Sequence, residues 1–272
     1  RLIFSLIFWR NMLSFNMLGN MGHLGNQMFQ YASLRGIAKK HGYDTCICPR
    51  EYVGSQIPVK NSILDCFDLD TKFELAGNKV ISESSFAFDK NLFENCPDDI
   101  DLHGYFQSEK YFSHIREDIL KEFTFKKQIS EPAKELFESV FGEQEVISLH
   151  IRRGDYVLNP NHPVQPLEYY QKALTMLPGE SPVLIFSDDA DWCNQQEIFS
   201  DDRFTVSEGN DAFTDMFLQT QCAYHIICNS SFSWWGAWLA DSQKVIAPKN
   251  WFGGDCINHN TNDLYCSTWK VI

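Results

Sequence analysis

At 272 residues the chain exceeds an ordinary single domain and can bury two cores of about 120 residues each. A net charge of −13, from 36 acidic against 23 basic side chains, argues against a general polyanion binder such as a nucleic-acid protein, so any anion site must be local. The nine cysteines are odd in number, contain no CxxC pair and fall partly inside apolar runs (Cys46, Cys48, Cys222, Cys228), which argues against a disulfide or zinc framework and suits reduced thiols in a cytoplasmic protein.

Residues 1–9, RLIFSLIFW, are apolar but far shorter than the roughly 20 needed to span a bilayer, and residues 1–10 read as an extension of the fold. Met12–Leu18 is a strand candidate, followed by Gly19-Asn20-Met21-Gly22-His23-Leu24-Gly25 and a helix from Asn26 to about Lys40. Met28, Tyr31, Ala32, Leu34, Ile37 and Ala38 predict one buried face on that helix. Three glycines between strand and helix let a ligand approach the backbone, but the spacing is neither GxGxxG nor GxxxxGK, so no dinucleotide or Walker mechanism is licensed. Pro49–Asn95 carries no readable motif, and Tyr52, Phe67 and Phe86 within it read as core. An amphipathic stretch at Tyr111–Phe123 and the polar Lys126–Glu131 run predict two halves, 11–135 and 136–272.

The second half opens on Val146–Tyr156, VISLHIRRGDY, an apolar run ending in two arginines, Gly and Asp. A parallel strand buried on both faces has this composition, and ligands of open α/β sheets gather at the carboxyl ends of such strands. Arg152 and Arg153 stand there as permanent cations whose forked N–H groups suit a phosphate or diphosphate, with salt bridges to acidic neighbours as the alternative. Helical spacing over Pro166–Leu177, an apolar run at Pro182–Phe186, a polar amphipathic stretch to Phe199, a strand at Phe204–Val206, a helix at Asp211–Cys222 and an apolar run at Tyr224–Cys228 follow. Val245–Ala247 closes the series. Alternating strands and helices predict a doubly wound parallel sheet.

Between the last two strands Asn229, Ser230 and Ser231 cap a helix at Phe232–Ala240. Such an N-terminus offers unpaired N–H groups and a partial positive charge to an anion, and plain capping is the other reading. Trp234, Trp235 and Trp238 are spaced for packing first and as a sugar platform second. Asp188-Asp189 resembles DxD but differs in spacing, and reads as a strand-end or helix-cap pair before a metal site.

GHLGNQMFQYA (22–32), DLHGYFQSEKYF (101–112), HIRRGDY (150–156) and NSSFSWWGAWL (229–239) together resemble the motifs of the bacterial α-1,2-fucosyltransferases, glycosyltransferase family eleven, over about residues 17–252. The resemblance implies an α/β, GT-B-like architecture of two Rossmann-like halves facing a cleft, with GDP-β-L-fucose as donor, a galactose-terminated oligosaccharide or lipid-linked glycan as acceptor, inversion at the anomeric carbon, and no metal or other cofactor. It implies an acceptor side in 11–135 and a donor side in 136–272. By resemblance Arg152 and Arg153 match the paired arginines at the donor diphosphate, Asn229, Ser230, Ser231 and Phe232 the phosphate cradle, Asp215 a carboxylate that reads guanine, and His150 a group near the base. Asn26 and Gln27 match the turn that reaches the donor from the other half. Asp155 fits HxRRxD and is equally suited to locking the arginines. His23 stands where the family usually has Gly; an imidazole there titrates near neutrality, but relatives manage without it, so the general base stays unassigned. A fucosyltransferase of another linkage or acceptor, and a lectin-like protein without catalysis, are the alternative readings. Peripheral association with a membrane that carries lipid-linked glycans is compatible with the sequence.

Overall fold

The computed structural model describes residues 11–48, 63–242 and 244–272. Two parallel sheets carry the chain. The first contains β1 (Met12–Phe15), β2 (Asp44–Ile47), β3 (Lys72–Phe73), β4 (Lys79–Ser82) and β5 (Ile100–His103), in the order β3-β2-β1-β5-β4. The second contains β6 (Ile147–Ile151), β7 (Val183–Ser187), β8 (Phe204–Val206), β9 (Tyr224–Ile226), β10 (Val245–Ala247) and β11 (Lys270–Val271), in the order β11-β10-β9-β6-β7-β8. Every pairing within these sheets is parallel. The expected α/β architecture of two Rossmann-like halves is therefore present.

Helices α1 (Leu24–His41), α2 (Ile63–Cys66), α3 (Lys90–Asn95), α4 (Arg116–Glu122) and α5 (Lys127–Phe141) precede β6. After it come α6 (Leu167–Leu174), α7 (Ala190–Asn194), α8 (Ala212–Thr220) and α9 (Ser231–Leu239). Gly42 ends α1 in the left-handed region at φ 72°, returning its N–H to the Ala38 and Lys39 carbonyls, which glycine does at no steric cost.

The predicted single buried face of α1 is corrected by the structure. Gln27, Gln30 and Ser33 are buried together with Met28, Phe29, Tyr31 and Ile37. Several neighbours cover the helix: Gln27 accepts from the Ile63 N–H of α2, Gln30 and Ser33 donate to the Gly104 and Phe106 carbonyls at 3.1 and 3.3 Å, and α9 packs on Phe29, whose ring lies 4.4 Å from Trp234 and 5.0 Å from Trp235. Trp235 also stacks on Phe112 at 5.4 Å, and both tryptophans are fully buried. Burial of one such side chain contributes at least about 1.5–3 kcal/mol. Trp234, Trp235 and Trp238 thus belong to the core, as does Phe67, whereas Tyr52 lies outside the described residues.

The division at residue 135 falls inside α5. Ala133, Phe137 and Phe141 of that helix pack with Leu184, Phe186, Leu218 and Cys222 of the second sheet and its helices. Ile129, at the start of the same helix, packs instead in the apolar cluster that spans both halves. All nine cysteines are free of disulfides, and burial pushes the Cys46 and Cys228 thiols up to about 12, which keeps them protonated.

Candidate active site

In both sheets the strand order reverses beside a central strand, β1 with β5 in one and β6 with β9 in the other. Ligands of open α/β sheets bind at the carboxyl ends of strands at such switch points. A cleft of about 880 Å³ lies there, lined from the amino half by His23, Gly25, Asn26, Glu83, Tyr105 and Gln107. From the carboxyl half it is lined by His150, Arg152, Asp155, Asp188, Asp215 and the Asn229–Phe232 turn, among others.

Arg152 follows the end of β6 and is held by two carboxylates. Its Nε and Nη2 donate to Asp155 Oδ1 at 3.1 and 2.6 Å, and its Nη1 lies 3.1 Å from Asp188 Oδ2. A guanidinium has five N–H donors, so one remains on each Nη for a further oxygen pair. Gly154 permits the arrangement: a Cβ there would collide with the Asp188 carboxylate. Asp155 thus orients Arg152 from within the cleft wall.

Arg153 does not share that position. Its Nε donates to Asp189 Oδ2 at 2.9 Å, its guanidinium lies 4.0 Å from the Trp192 ring centroid, and it is not part of the cleft lining. Consecutive residues leaving a strand point in opposite directions, so only one of the two arginines faces the cleft. Asp189 also caps α7 by accepting from the Trp192 N–H at 3.2 Å. The acidic pair therefore serves as a strand-end and cap pair, with Asp188 in addition accepting the Arg153 N–H at 2.8 Å.

The α9 N-terminus is built as the sequence predicts, with Ser230 as N-cap accepting from the Phe232 N–H at 3.3 Å. Asn229 is buried and donates to the Pro163 and Trp251 carbonyls, both at 3.0 Å, so its side chain fastens the turn. Ser231 donates 2.8 Å to Asn26 Oδ1, which also accepts from Gln107 at 2.8 Å. Asn26 therefore joins the two halves at the cleft floor. The N-termini of α1 and α9 meet there through Gly25, where a Cβ would lie 2.6 Å from the Ser231 carbonyl carbon and 2.7 Å from the Phe232 nitrogen. That contact requires glycine.

Gln27 is the second predicted residue outside the cleft lining. It is buried, its Oε1 accepts from the Ile63 N–H at 2.9 Å and its Nε2 donates to the Gly22 carbonyl at 3.3 Å. It secures the glycine turn to α2. His23 lines the cleft, exposed, at the N-cap position of α1 without a side-chain cap bond.

Among the titratable groups of the lining that are displaced from their ordinary values, two stand on the carboxyl half beside the α9 turn or on α8. Burial, with a contribution from Arg152, lowers His150 to about 3, so it is a neutral imidazole, with Nδ1 3.1 Å from Cys228 Sγ. Burial raises Asp215 to about 6, opposed by hydrogen bonds from Ser207 and Asn210; Ser207 Oγ donates to its Oδ1 at 2.6 Å. A half-buried carboxylate held by Ser207 and Asn210 keeps lone pairs that can accept N–H donors from a ligand.

Sequence reasoning missed Glu83, Tyr156, His162, Phe252 and His259 in the lining; Phe86, read as core, packs half-buried against the core cluster and lines the cleft as well. Their rings form a row: Arg152 lies 5.5 Å from Tyr156, which stacks on His162 at 5.2 Å, which lies 5.5 Å from Phe252, which meets Phe86 of the amino half at 4.8 Å. No single-segment signal links these residues, which are brought together by both halves. Among the described residues no group of three or more His, Cys, Asp or Glu is arranged to hold a metal ion, and no helix is long and apolar enough to cross a membrane.

The model of Glycosyl transferase family 11 matches residues 10–272. An alpha-1,2-colitosyltransferase of Escherichia coli is 34% identical over 87% of this chain and 92% of its own length. The O-antigen biosynthesis glycosyltransferase WbnK of the same organism is 27% identical over 91% of this chain and 97% of its own length. Galactoside alpha-(1,2)-fucosyltransferase 2 of Rattus norvegicus is 30% identical over 84% of this chain and 68% of its own length. Among solved structures, NodZ alpha-1,6-fucosyltransferase soaked with GDP-fucose superposes with a TM-score of 0.58 at 15% identity, covering 92% of this chain and 97% of NodZ. POFUT1 in complex with GDP gives 0.56 at 14% identity, covering 86% of this chain and 95% of its own. Identities this low establish a common fold.

Proposed function

The chain belongs to glycosyl transferase family 11, and from that premise we propose an inverting α-1,2-fucosyl transfer from GDP-β-L-fucose to a galactose-terminated glycan. Glycosyltransferase activity follows from the family and its fucosyl- and colitosyltransferase relatives. The observation that carries the finer reading is the convergence of Arg152 and the Ser230–Ser231 helix end at one switch point, with Asn26 reaching the same floor from the other half.

Breaking the bond between fucose and GDP develops negative charge on the diphosphate and oxocarbenium character on the sugar. The free N–H groups of Arg152 and of the α9 N-terminus bind that charge more strongly in the transition state than in the ground state, which raises rate rather than affinity alone. Asp215, with the neutral His150 nearby, is assigned to guanine, whose two adjacent N–H donors a carboxylate can accept together. The row from Tyr156 to Phe86 offers an aromatic wall to the acceptor sugar. A colitosyl donor is the second reading, favoured by the 34% identical relative.

No metal is assigned to the diphosphate, because Asp188 and Asp189 are already engaged with the two arginines. EDTA is expected to leave turnover unchanged within about twofold, since cationic and helix-end groups take the place a metal ion fills elsewhere. Loss of activity on chelation, restored by manganese or magnesium, would promote the two aspartates to metal ligands. Nine thiols without a disulfide support a reducing, cytoplasmic location, where the acceptor is a free oligosaccharide or a lipid-linked glycan met at a membrane surface.

The deciding experiment offers GDP-fucose and the colitosyl donor to an array of galactosides and reads the product linkage by NMR. A 1→2 linked fucose supports the first reading and preference for the colitosyl donor the second. Transfer to another hydroxyl overturns the α-1,2 assignment, and GDP-independent glycan binding without transfer would revive a lectin.

A further inference from the structure

Of the four sequence motifs, DLHGYFQSEKYF (101–112) has so far supplied Tyr105 and Gln107 to the cleft lining, and its turn also holds a carboxylate there. The Tyr105 N–H donates to Glu83 Oε2 at 2.9 Å and the Phe106 N–H to Glu83 Oε1 at 3.1 Å. Phe106 adopts φ 51°, in the left-handed region that a bulky residue enters only under constraint, and a Cβ on Gly104 would lie 2.6 Å from the Glu83 Cβ. The seat is thus shaped around this side chain. Glu83 itself follows β4 and is fixed by its own N–H donating to the His103 carbonyl at 2.8 Å.

We infer that Glu83 takes the proton from the acceptor hydroxyl, an assignment that rests on the transfer reading above. Inversion requires the hydroxyl to attack from the side opposite the departing diphosphate, and every group assigned to the diphosphate and guanine, apart from the bridging Asn26, stands on the carboxyl half. Glu83 faces the cleft from the amino half. The other lining carboxylates have other roles: Asp155 and Asp188 hold Arg152, and Asp215, bonded by Ser207, is assigned to guanine. Among the described residues no cation pairs with Glu83, and the two N–H bonds leave lone pairs on both oxygens. As the acceptor oxygen forms its bond to the fucose anomeric carbon, its proton passes to a Glu83 oxygen. The electron pair of the breaking bond leaves on the β-phosphate of GDP, and Glu83 later releases the proton to water.

Burial raises the Glu83 carboxyl above the usual range against the two backbone N–H bonds, with Asp89 as the charged neighbour acting in the same direction as burial. A base must be ionised, so turnover should fall on the acid side of that raised value. Glu83→Gln tests this role with the least loss of the latch: an amide oxygen at the Oε2 position lies 2.9 Å from the Tyr105 nitrogen and 3.2 Å from the Phe106 nitrogen, so it accepts both N–H groups, while the Oε1 bond to Phe106 is given up. E83Q is expected to lower kcat about 100-fold while acceptor KM and GDP affinity stay within about threefold, and to lose the acid limb of kcat measured at saturating donor. In E83A, formate should restore rate in proportion to its concentration, which decides the matter should E83Q prove unstable. An E83Q enzyme within fivefold of wild type that keeps its acid limb, or an E83A enzyme that formate does not rescue, reduces Glu83 to a latch and overturns the assignment. The wild-type enzyme is run beside the variants with both sugar donors: no transfer by the wild type sinks the functional reading itself, and this assignment with it, whereas normal wild-type transfer with an active E83Q sinks Glu83 alone.

Discussion

Arg152→Lys is expected to lower kcat by about 100- to 1000-fold at saturating donor, the range seen when one pre-positioned donor to a developing anion is removed. Lysine keeps the charge but not the fork. Arg152 uses Nε and both Nη atoms to stay between Asp155 and Asp188, and it is this double anchoring that aims its two remaining N–H groups. An ammonium placed there cannot satisfy both carboxylates and still present a bidentate face. GDP affinity should fall less than kcat, because the lost interaction strengthens as the bond breaks. Arg153→Lys should behave differently: it gives up the contact with Trp192 and the bond to Asp189 outside the lining, so it is read first as a lowered melting temperature. Near wild-type turnover in Arg152→Lys would remove the diphosphate from this side chain.

Asp215→Asn is expected to weaken GDP by about 2–4 kcal/mol, or roughly 30- to 1000-fold, since an amide presents one acceptor and one repelling donor to guanine's two N–H groups. Folding should survive, and the direction of the pKa shift says why. Burial lifts Asp215 from 3.8 to about 6, so the folded protein holds this proton more tightly than the unfolded chain and stability declines as pH rises between those values. An amide that never ionises escapes that penalty at neutral pH. The same value sets a pH dependence for the wild type. Guanine needs the ionised form, so GDP affinity should be full above about 6 and fall toward tenfold per unit below it, a slope absent from Asp215→Asn. ADP and UDP serve as controls, and calorimetric GDP affinity unchanged within twofold in the folded variant would take Asp215 out of the site.

The carboxyl half was legible because its central strands β6, β9 and β10 are buried along their length and so read as unbroken apolar runs, and Val245–Ala247 agrees with the structure residue for residue; Phe204–Val206 agrees too, although that strand is half-exposed. The amino half hid its sheet. Asp44–Ile47 and Ile100–His103 carry polar residues into the interior, where Asp101 accepts from Ser14 Oγ at 3.1 Å and from the Asn16 N–H at 2.7 Å, and β4 is mostly exposed. Such strands have neither alternation nor a hydrophobic run to announce them. In the site, the Arg-Arg pair was visible, but not which arginine would face inward, since that depends on where β6 ends. Gln27 and Asn26 look equivalent in sequence, and only the contact with α2 on one side and α9 on the other separates them. Glu83 belongs to no motif; its partners lie 22 and 23 residues away, across a strand pairing that the sequence did not disclose.

The packing of α1 on α9 bears on how this molecule can move. Phe29 and Phe112 of the amino half and Trp234 and Trp235 of the carboxyl half occupy one continuous apolar cluster, pinned at its edge by Gly25 and the Asn26–Ser231 bond. A jaw-like swing of one sheet away from the other would pull two tryptophans into water, a cost of several kcal/mol by area alone. The hinge is in effect welded. Substrate entry then needs no swing of one sheet from the other, and the two halves, distinct as they are in topology, are expected to unfold as a single cooperative unit.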